Sequence, residues 1–162
     1  TLLGALRHLH GYEVRIVGST PNKACKKYKE TLVKGLRPSE NSFSFLSKSW
    51  FSEEEKAKQF AWADVAVAPY TWGPYHSGAV QDAAEFGIPI VISRVGAIWE
   101  LVDAFGLGEV VHARDAKALA DGISNVFSRY GTYKKGILKY RKHADWKVTA
   151  KGYDGLYREA DK

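Results

Sequence analysis

Residues 64–100 read DVAVAPYTWGPYHSGAVQDAAEFGIPIVISRVGAIWE. The almost wholly apolar run over 65–69 is the pattern of a strand buried on both faces. A loop rich in Gly and Pro follows over 70–77. It leads into a short helix over 77–86, whose inner face is Ala79, Val80, Ala83 and Ala84. These side chains are small enough to lie close on a sheet. Residues 89–93 form a second apolar strand. A strand, a helix and a second strand at this spacing make the repeating unit of a doubly wound, Rossmann-like α/β fold.

The alternation continues outward. Leu2, Leu3, Leu6 and Leu9 make a helical apolar stripe ended by Gly11. A strand over 12–18 follows. A helix then runs from Asn22 to about Gly35, with Ala24, Tyr28, Leu32 and Leu36 on its inner face, and 41–46 is the next strand. Ser52 and Glu55 spell a capping box for a helix reaching about Ala63. Beyond the central stretch, 97–105 is a helix stopped by Gly106 and Gly108, and 109–112 is a last short strand. Asp115, Thr132 and Asp145 cap three closing helices, to about Tyr130, to about His143 and through Tyr157. Five strands thus alternate with helices, giving a parallel sheet with helices on both faces in one domain. The last two helices have no strand and are expected on its outside, or reaching toward a neighbour.

A chain of 162 residues is long enough for one proper core. Its net charge of +6 sits mainly in 23–34 and 134–151, at the spacing of solvated helix faces. Phosphate ligands or a membrane surface are the other uses of such charge. No zinc-ligand spacing or stacking platform points to nucleic acid. No apolar run approaches the roughly 20 residues of a membrane span. The N-terminal segment is amphipathic, with Arg7 inside it, and is not a signal peptide. With a single Cys25, a reducing cytoplasm is the expected compartment. The chain holds no Met and opens directly in a helical pattern, so residues are expected ahead of Thr1 in the parent protein. His8 and His10 read as surface residues, and most of the five Trp and nine Tyr as core or interface packing.

Ligands of such folds bind at the carboxyl ends of the strands. Three loops leave those ends: Gly18-Ser19-Thr20, Ser47-Lys48-Ser49-Trp50, and 70–77. In the third, free amides and the helix dipole favour an anion. Ser77 adds a hydroxyl donor, and Gly78 lets a phosphate approach the backbone. Asp82, one turn on, is set back far enough to accept from ribose hydroxyls. An ordinary helix start, with Ser77 as cap and Asp82 as a solvated charge, accounts for the same residues. His76 can donate to a phosphate or sugar, or simply face solvent. Arg94, leaving the next strand, offers a guanidinium, and Glu100 balances a helix dipole. No Walker, GxGxxG, HExxH or GxSxG pattern occurs.

The progression ADVAVAPY…GPYHSGAVQDAAEFGIPIVISRVGAIWELV resembles the C-terminal, donor-binding domain of the group 1 glycosyltransferases of GT-B fold. Residues 12–18, 44–47, 115–123 and 146–160 resemble further segments of that domain in the same order. The resemblance implies transfer of a hexosyl group from a UDP- or GDP-linked sugar to an acceptor hydroxyl, with retention and without a metal. It implies a donor site of Gly18, Ser47, Lys48, Ser49, Trp50, His76, Ser77, Gly78, Ala79, Asp82 and Arg94. The family's two carboxylates eight residues apart fall on Pro74 and Asp82, so the ribose ligand is kept and the sugar ligand is not. The resemblance also implies an acceptor-binding N-terminal domain in the same chain and an upstream central strand followed by a basic pair. A non-catalytic nucleotide-binding or protein-interaction module, and a nucleotide-sugar epimerase, are the alternatives. Peripheral attachment of the parent protein to the inner face of a membrane is a further expectation.

Overall fold

Strand β4, Ile90–Ser93, is buried along its whole length. It can be so because it is paired in parallel on both edges and covered on both faces. On one edge lies β3, Ala66–Ala68, with Val67 beside Val91. On the other lies β5, Gly108–Val111, with Val91 beside Glu109. A Cβ on Gly108 would stand 1.8 Å from the Ile90 carbonyl oxygen, so the close approach of the two strands requires glycine there.

The computed structural model describes residues 1–19, 22–34, 41–73 and 78–160. Within them, α1 (Leu2–Ala5) continues into a 3-10 turn (Leu6–His8), followed by β1 (Glu13–Gly18), α2 (Lys23–Lys34), β2 (Ser42–Ser47) and α3 (Glu53–Trp62). After β3 come α4 (Ala79–Glu85), β4, α5 (Ile98–Phe105), β5, α6 (Ala116–Ser128), α7 (Tyr130–His143) and α8 (Trp146–Ala160). The expected parallel α/β architecture with helices on both faces is present. Its strands form two sheets, β1–β2 and β3–β4–β5. Between the edges of β1 and β3 lies a cavity of about 930 Å³. Burial of β3 on both faces fails for this reason: Ala66 and Val67 border the cavity and are only half-buried.

Two apolar clusters cover the three-stranded sheet. On one face Val80, Ala83 and Ala84 of α4, Ile98 and Val102 of α5, and Ile137 and Tyr140 of α7 pack with Ile90 and Ile92. On the other, Leu6, Leu9, Leu119, Ile123 and Val126 pack with Val91 and Val111. The side chain of Asn41 ties the turn after α1 to β2: it donates to the carbonyls of Leu6 and Leu9 and accepts from the Tyr12 amide.

Local signals in the sequence appear as read. Ser52 accepts from the Glu55 amide, and Glu55 accepts from the Ser52 amide. Asp115 accepts from the Ala118 amide, Asp145 accepts from the Lys147 amide, and Gly106 ends α5 in the left-handed region at φ 63°. Other expectations are corrected. Helix α7 belongs to the core, through Tyr133, Ile137 and Tyr140; only α8 lies outside. Thr132 does not cap α7, which starts two residues earlier with no side-chain cap. On α2 the expected inner face is exposed at Ala24 and Tyr28, because the helix flanks only a two-stranded sheet; the Leu32 side chain and Leu36 lie outside the described residues. Of the aromatic residues expected in core or interface packing, Trp50, Trp62, Trp72 and Trp146 lie outside the core, as do Tyr28, Tyr153 and Tyr157. His8 and His10 are at the surface, as expected.

These assignments to core and surface separate two variants. Ile137→Ala should cost about 2–5 kcal/mol of stability, as for a buried aliphatic truncation. Tyr157→Ala on exposed α8 should stay within about 0.5 kcal/mol of the parent. Urea denaturation distinguishes them, and equal effects would place α7 outside the core. The Tyr133 hydroxyl, buried and hydrogen-bonded to Glu109, is pushed up to about 12, first by burial and then by that carboxylate. The raised value favours the neutral phenol in the fold. The stability it contributes is therefore full below about pH 10 and lost as pH rises toward 12. Ultraviolet titration should show one tyrosine ionising last, absent in Tyr133→Phe.

Candidate functional site

The carboxyl ends of the strands are where the predicted residues gather. In β1 and β2, Gly18 and Ser47 stand side by side in register, and both line a cavity of about 340 Å³ with Lys29 and Cys25. Lys48, Ser49 and Trp50 leave β2 at this end and are exposed. Gly78 and Ala79 begin α4 after β3, and Arg94 follows β4. His76 and Ser77, with Pro74, lie outside the described residues. Gly78 stands at the N-cap of α4 with no side-chain cap bond.

Helix α3 joins the two halves of this end. It starts directly after the 47–50 loop. From its outer turns, Arg15 of β1 stacks its guanidinium 3.7 Å from the Trp62 ring centroid and donates to Gln59. On the other side, Phe60 stacks on Phe86 just beyond α4, at 5.0 Å between centroids. In its first turn, Lys56 reaches Asp82 on α4 at 3.2 Å and Glu53 at 2.8 Å. Lys48 pairs with Glu55 at 2.5 Å.

The electrostatics follow from these pairs. The Lys48 ammonium beside Glu55 holds that carboxyl below the usual carboxylate range, and the Ser52 amide helps. Hydrogen bonding to Glu53, then to Asp82, holds Lys56 above its ordinary value. Asp82 is thus shared: its Oδ1 accepts from Lys56, while Oδ2 lies on the side of Gly78, 4.0 Å from where a Cβ on that residue would stand. A carboxylate so held has one oxygen left to accept from a ligand hydroxyl. Arg94 is parked on the Trp99 ring at 4.2 Å, and the Trp99 indole donates to the Gly96 carbonyl. The guanidinium stays exposed at the mouth of the strand end.

Three residues escaped sequence reading. Lys56 carries the one resolvable signal: a cation in the first turn of a helix opposes the dipole and calls for carboxylate partners. Glu53 was legible as one partner at i,i−3; Asp82, 26 residues on, was not. Trp72, in the loop after β3, is 77% exposed. The hydroxyl of Ser93, at the carboxyl end of β4, is fully buried with no hydrogen-bond partner among the described residues.

With this geometry in place, comparison with known proteins identifies the class. A family model described as "Glycosyl transferases group 1" matches residues 1–129, and the chain belongs to that family. Among solved structures, HepE from Anabaena, in complex with UDP, superposes with a TM-score of 0.74 at 18% identity over 97% of this chain. A glycosyltransferase from Rickettsia africae matches with a TM-score of 0.68 at 18% identity over 99% of the chain. Sucrose-phosphate synthase from Thermosynechococcus elongatus matches with 0.66 at 19% over 98%. The chain spans 44%, 44% and 48% of these proteins, about half of each. Comparison with curated protein sequences yields no match.

The Lys56 cluster gives a direct expectation. Its ammonium should titrate above 10.5 when followed by side-chain carbon NMR. Because its folded value is raised, the stability it contributes is full below 10.5 and is lost at higher pH, as pH rises through the raised folded value. Glu53→Gln should lower the titration point more than Asp82→Asn, and both should lower it. A Lys56 that titrates identically in all three proteins contradicts the pairing.

Proposed function

We propose that this chain is the donor-binding half of a glycosyltransferase, which transfers a hexosyl group from a UDP- or GDP-linked sugar to an acceptor hydroxyl with retention. Membership of the group 1 family supports glycosyl transfer. The UDP bound by HepE, whose fold this chain shares, supports a nucleotide as the ligand. The observation that carries the reading is Asp82, held through Oδ1 by Lys56 with Oδ2 turned toward Gly78, at the carboxyl end of the sheet.

In this reading the amides of Gly78 and Ala79, with Ser77 and His76, receive the diphosphate. Asp82 Oδ2 accepts from the ribose. Gly18, Ser47, Lys48, Ser49 and Trp50 surround the base, and the exposed Trp50 ring offers a stacking surface. Lys56, Arg94 and Lys48 supply positive potential against the charge that develops on the leaving diphosphate, so no metal is needed. Acceptor groups and the rest of the catalytic machinery belong to an N-terminal domain of the parent protein, and the chain alone is inactive. The parent works in the cytoplasm, with peripheral attachment to a membrane's inner face. Among the described residues no helix is long and apolar enough to cross a membrane. Pro74, in place of the family's first carboxylate, favours a second reading: a nucleotide-binding module without transferase activity.

Calorimetry with UDP, GDP and ADP tests the donor site. One of them should bind, and Asp82→Ala should weaken it by about 1–3 kcal/mol, the cost of losing a hydrogen bond to a charged group. Absence of binding by all three at millimolar concentration, or an affinity indifferent to Asp82→Ala, defeats the assignment.

A further inference from the structure

Between Asp121 and Asp145 the chain carries no carboxylate side chain. The same stretch carries Arg129, Lys134, Lys135, Lys139, Arg141 and Lys142, and it contains the whole of α7. Helices α3, α6 and α8 each answer a cation with a carboxylate one turn away, as Lys58–Glu54, Lys117–Asp121 and Arg158–Asp154. Among the described residues, Lys135, Lys139, Arg141 and Lys142 have no such partner. Lys135, Lys139 and Lys142 follow one another at helical spacing, and like charges one turn apart repel. The stripe therefore costs the free chain stability, and a negative surface laid on it relieves that cost.

The packing of α7 fixes where this charge points. Tyr133, Ile137 and Tyr140 form its buried stripe. At about 3.6 residues per turn, the face opposite carries Lys135, Leu138, Lys139 and Lys142, and all four are exposed. The helix is held close to the domain. A Cβ on Gly136 would stand 2.2 Å from the Gly106 carbonyl oxygen and 2.4 Å from that of Phe105, and Lys134 donates to the Gly87 carbonyl. Gly87 and Gly106 precede β4 and β5, so α7 is moored at the amino ends of those strands. Gly78 and Arg94 follow the carboxyl ends of β3 and β4, so a surface laid on α7 leaves that end open.

We infer that the outward face of α7 is a docking surface for an anionic lipid bilayer. Charge complementarity is the first argument: a lysine stripe flanked by Arg141 meets phosphate headgroups with no carboxylate to oppose them. Leu138 is the second. It is 56% exposed among the lysines, where an apolar side chain enters the boundary between headgroups and acyl chains. A nucleic acid makes other demands. Single strands stack on exposed aromatic rings, and Tyr133 and Tyr140 are turned into the core. Lysine also suits a headgroup layer, because an ammonium meets phosphate as a point charge and needs no fixed fork geometry. The inference rests on the peripheral attachment proposed for the parent protein, gives that attachment a face, and is independent of the nucleotide site.

The test is co-sedimentation of the 162-residue chain with vesicles at low ionic strength. Phosphatidylcholine vesicles with about one third phosphatidylglycerol should bind it, and pure phosphatidylcholine should not. Each lysine near such a surface is worth about fivefold in partitioning, so Lys135→Gln, Lys139→Gln and Lys142→Gln together should weaken binding about 100-fold. Removing the same charge from α2, by Lys23→Gln, Lys26→Gln and Lys27→Gln, should cost no more than about fivefold. Leu138→Gln should weaken binding to vesicles and leave binding to heparin unchanged. All these side chains are exposed, so each variant should keep the parent's urea midpoint. The α7 triple variant should bind a nucleoside diphosphate as the parent does, which reads the donor site separately. Absence of binding to the anionic vesicles overturns the inference. So do equal losses in the two triple variants, which would assign binding to net charge, and vesicle binding indifferent to Leu138→Gln, which would mark a general polyanion site. Vesicle binding that survives in the α7 triple variant overturns it too, while leaving the attachment itself in place.

Discussion

Parallel strands carry no hairpins and need both edges paired and both faces covered, and this requirement shapes the whole molecule. Strand β4 meets it fully, so its four residues are buried and its neighbours are fixed. Gly108 lets β5 come close, and α4, α5 and α7 on one face and α1 and α6 on the other exclude water. Where the requirement is unmet, at the facing edges of β1 and β3, a cavity opens and burial of β3 falls. Within each sheet the strands run parallel, so Gly18, Ser47 and Lys48 stand together at the carboxyl end of β1 and β2, and Gly78, Asp82 and Arg94 follow the carboxyl ends of β3 and β4.

The two half-sheets are held to one another by α3. Arg15 on Trp62, Phe60 on Phe86 and Lys56 on Asp82 reach from it to β1 and to α4. The same helix carries the charges that shape the site. Glu53, Glu54 and Glu55 in its first turn complement its dipole. Lys56 is the cation among them, and it settles on Glu53 and Asp82. The ammonium is thus shared by two carboxylates, one on its own helix and one on α4.

What the sequence discloses is local. The capping box of α3, the Asp115 cap, the Gly106 stop and the small inner face of α4 each depend on residues within one or two turns, and each is found. The alternation of strands and helices is legible for the same reason, and so is membership of the fold. What it conceals is set by distant packing. Tyr133, Ile137 and Tyr140 lie among lysines and glycines, so the buried stripe of α7 reads as a surface helix. The apolar positions of α2 promise burial, but a two-stranded sheet offers too little surface to cover them. The tryptophans Trp50, Trp62, Trp72 and Trp146 lie outside the core, with Trp146 82% exposed on α8. In the site, the loops were legible from their place after strands. The Lys56–Asp82 pair was not, because it joins two helices through the fold.

The central claim is that the carboxyl ends of these strands, bridged by α3, form a nucleotide site. The most direct measurement is an amide NMR titration of the isotope-labelled chain with the nucleoside diphosphate that binds it most tightly. The account predicts shifts at Gly18, Lys48, Gly78, Asp82 and Arg94, with Gly87 and Gly108 at the opposite end of the sheet unmoved. Shifts confined to that opposite end, or spread evenly over the surface, would contradict it.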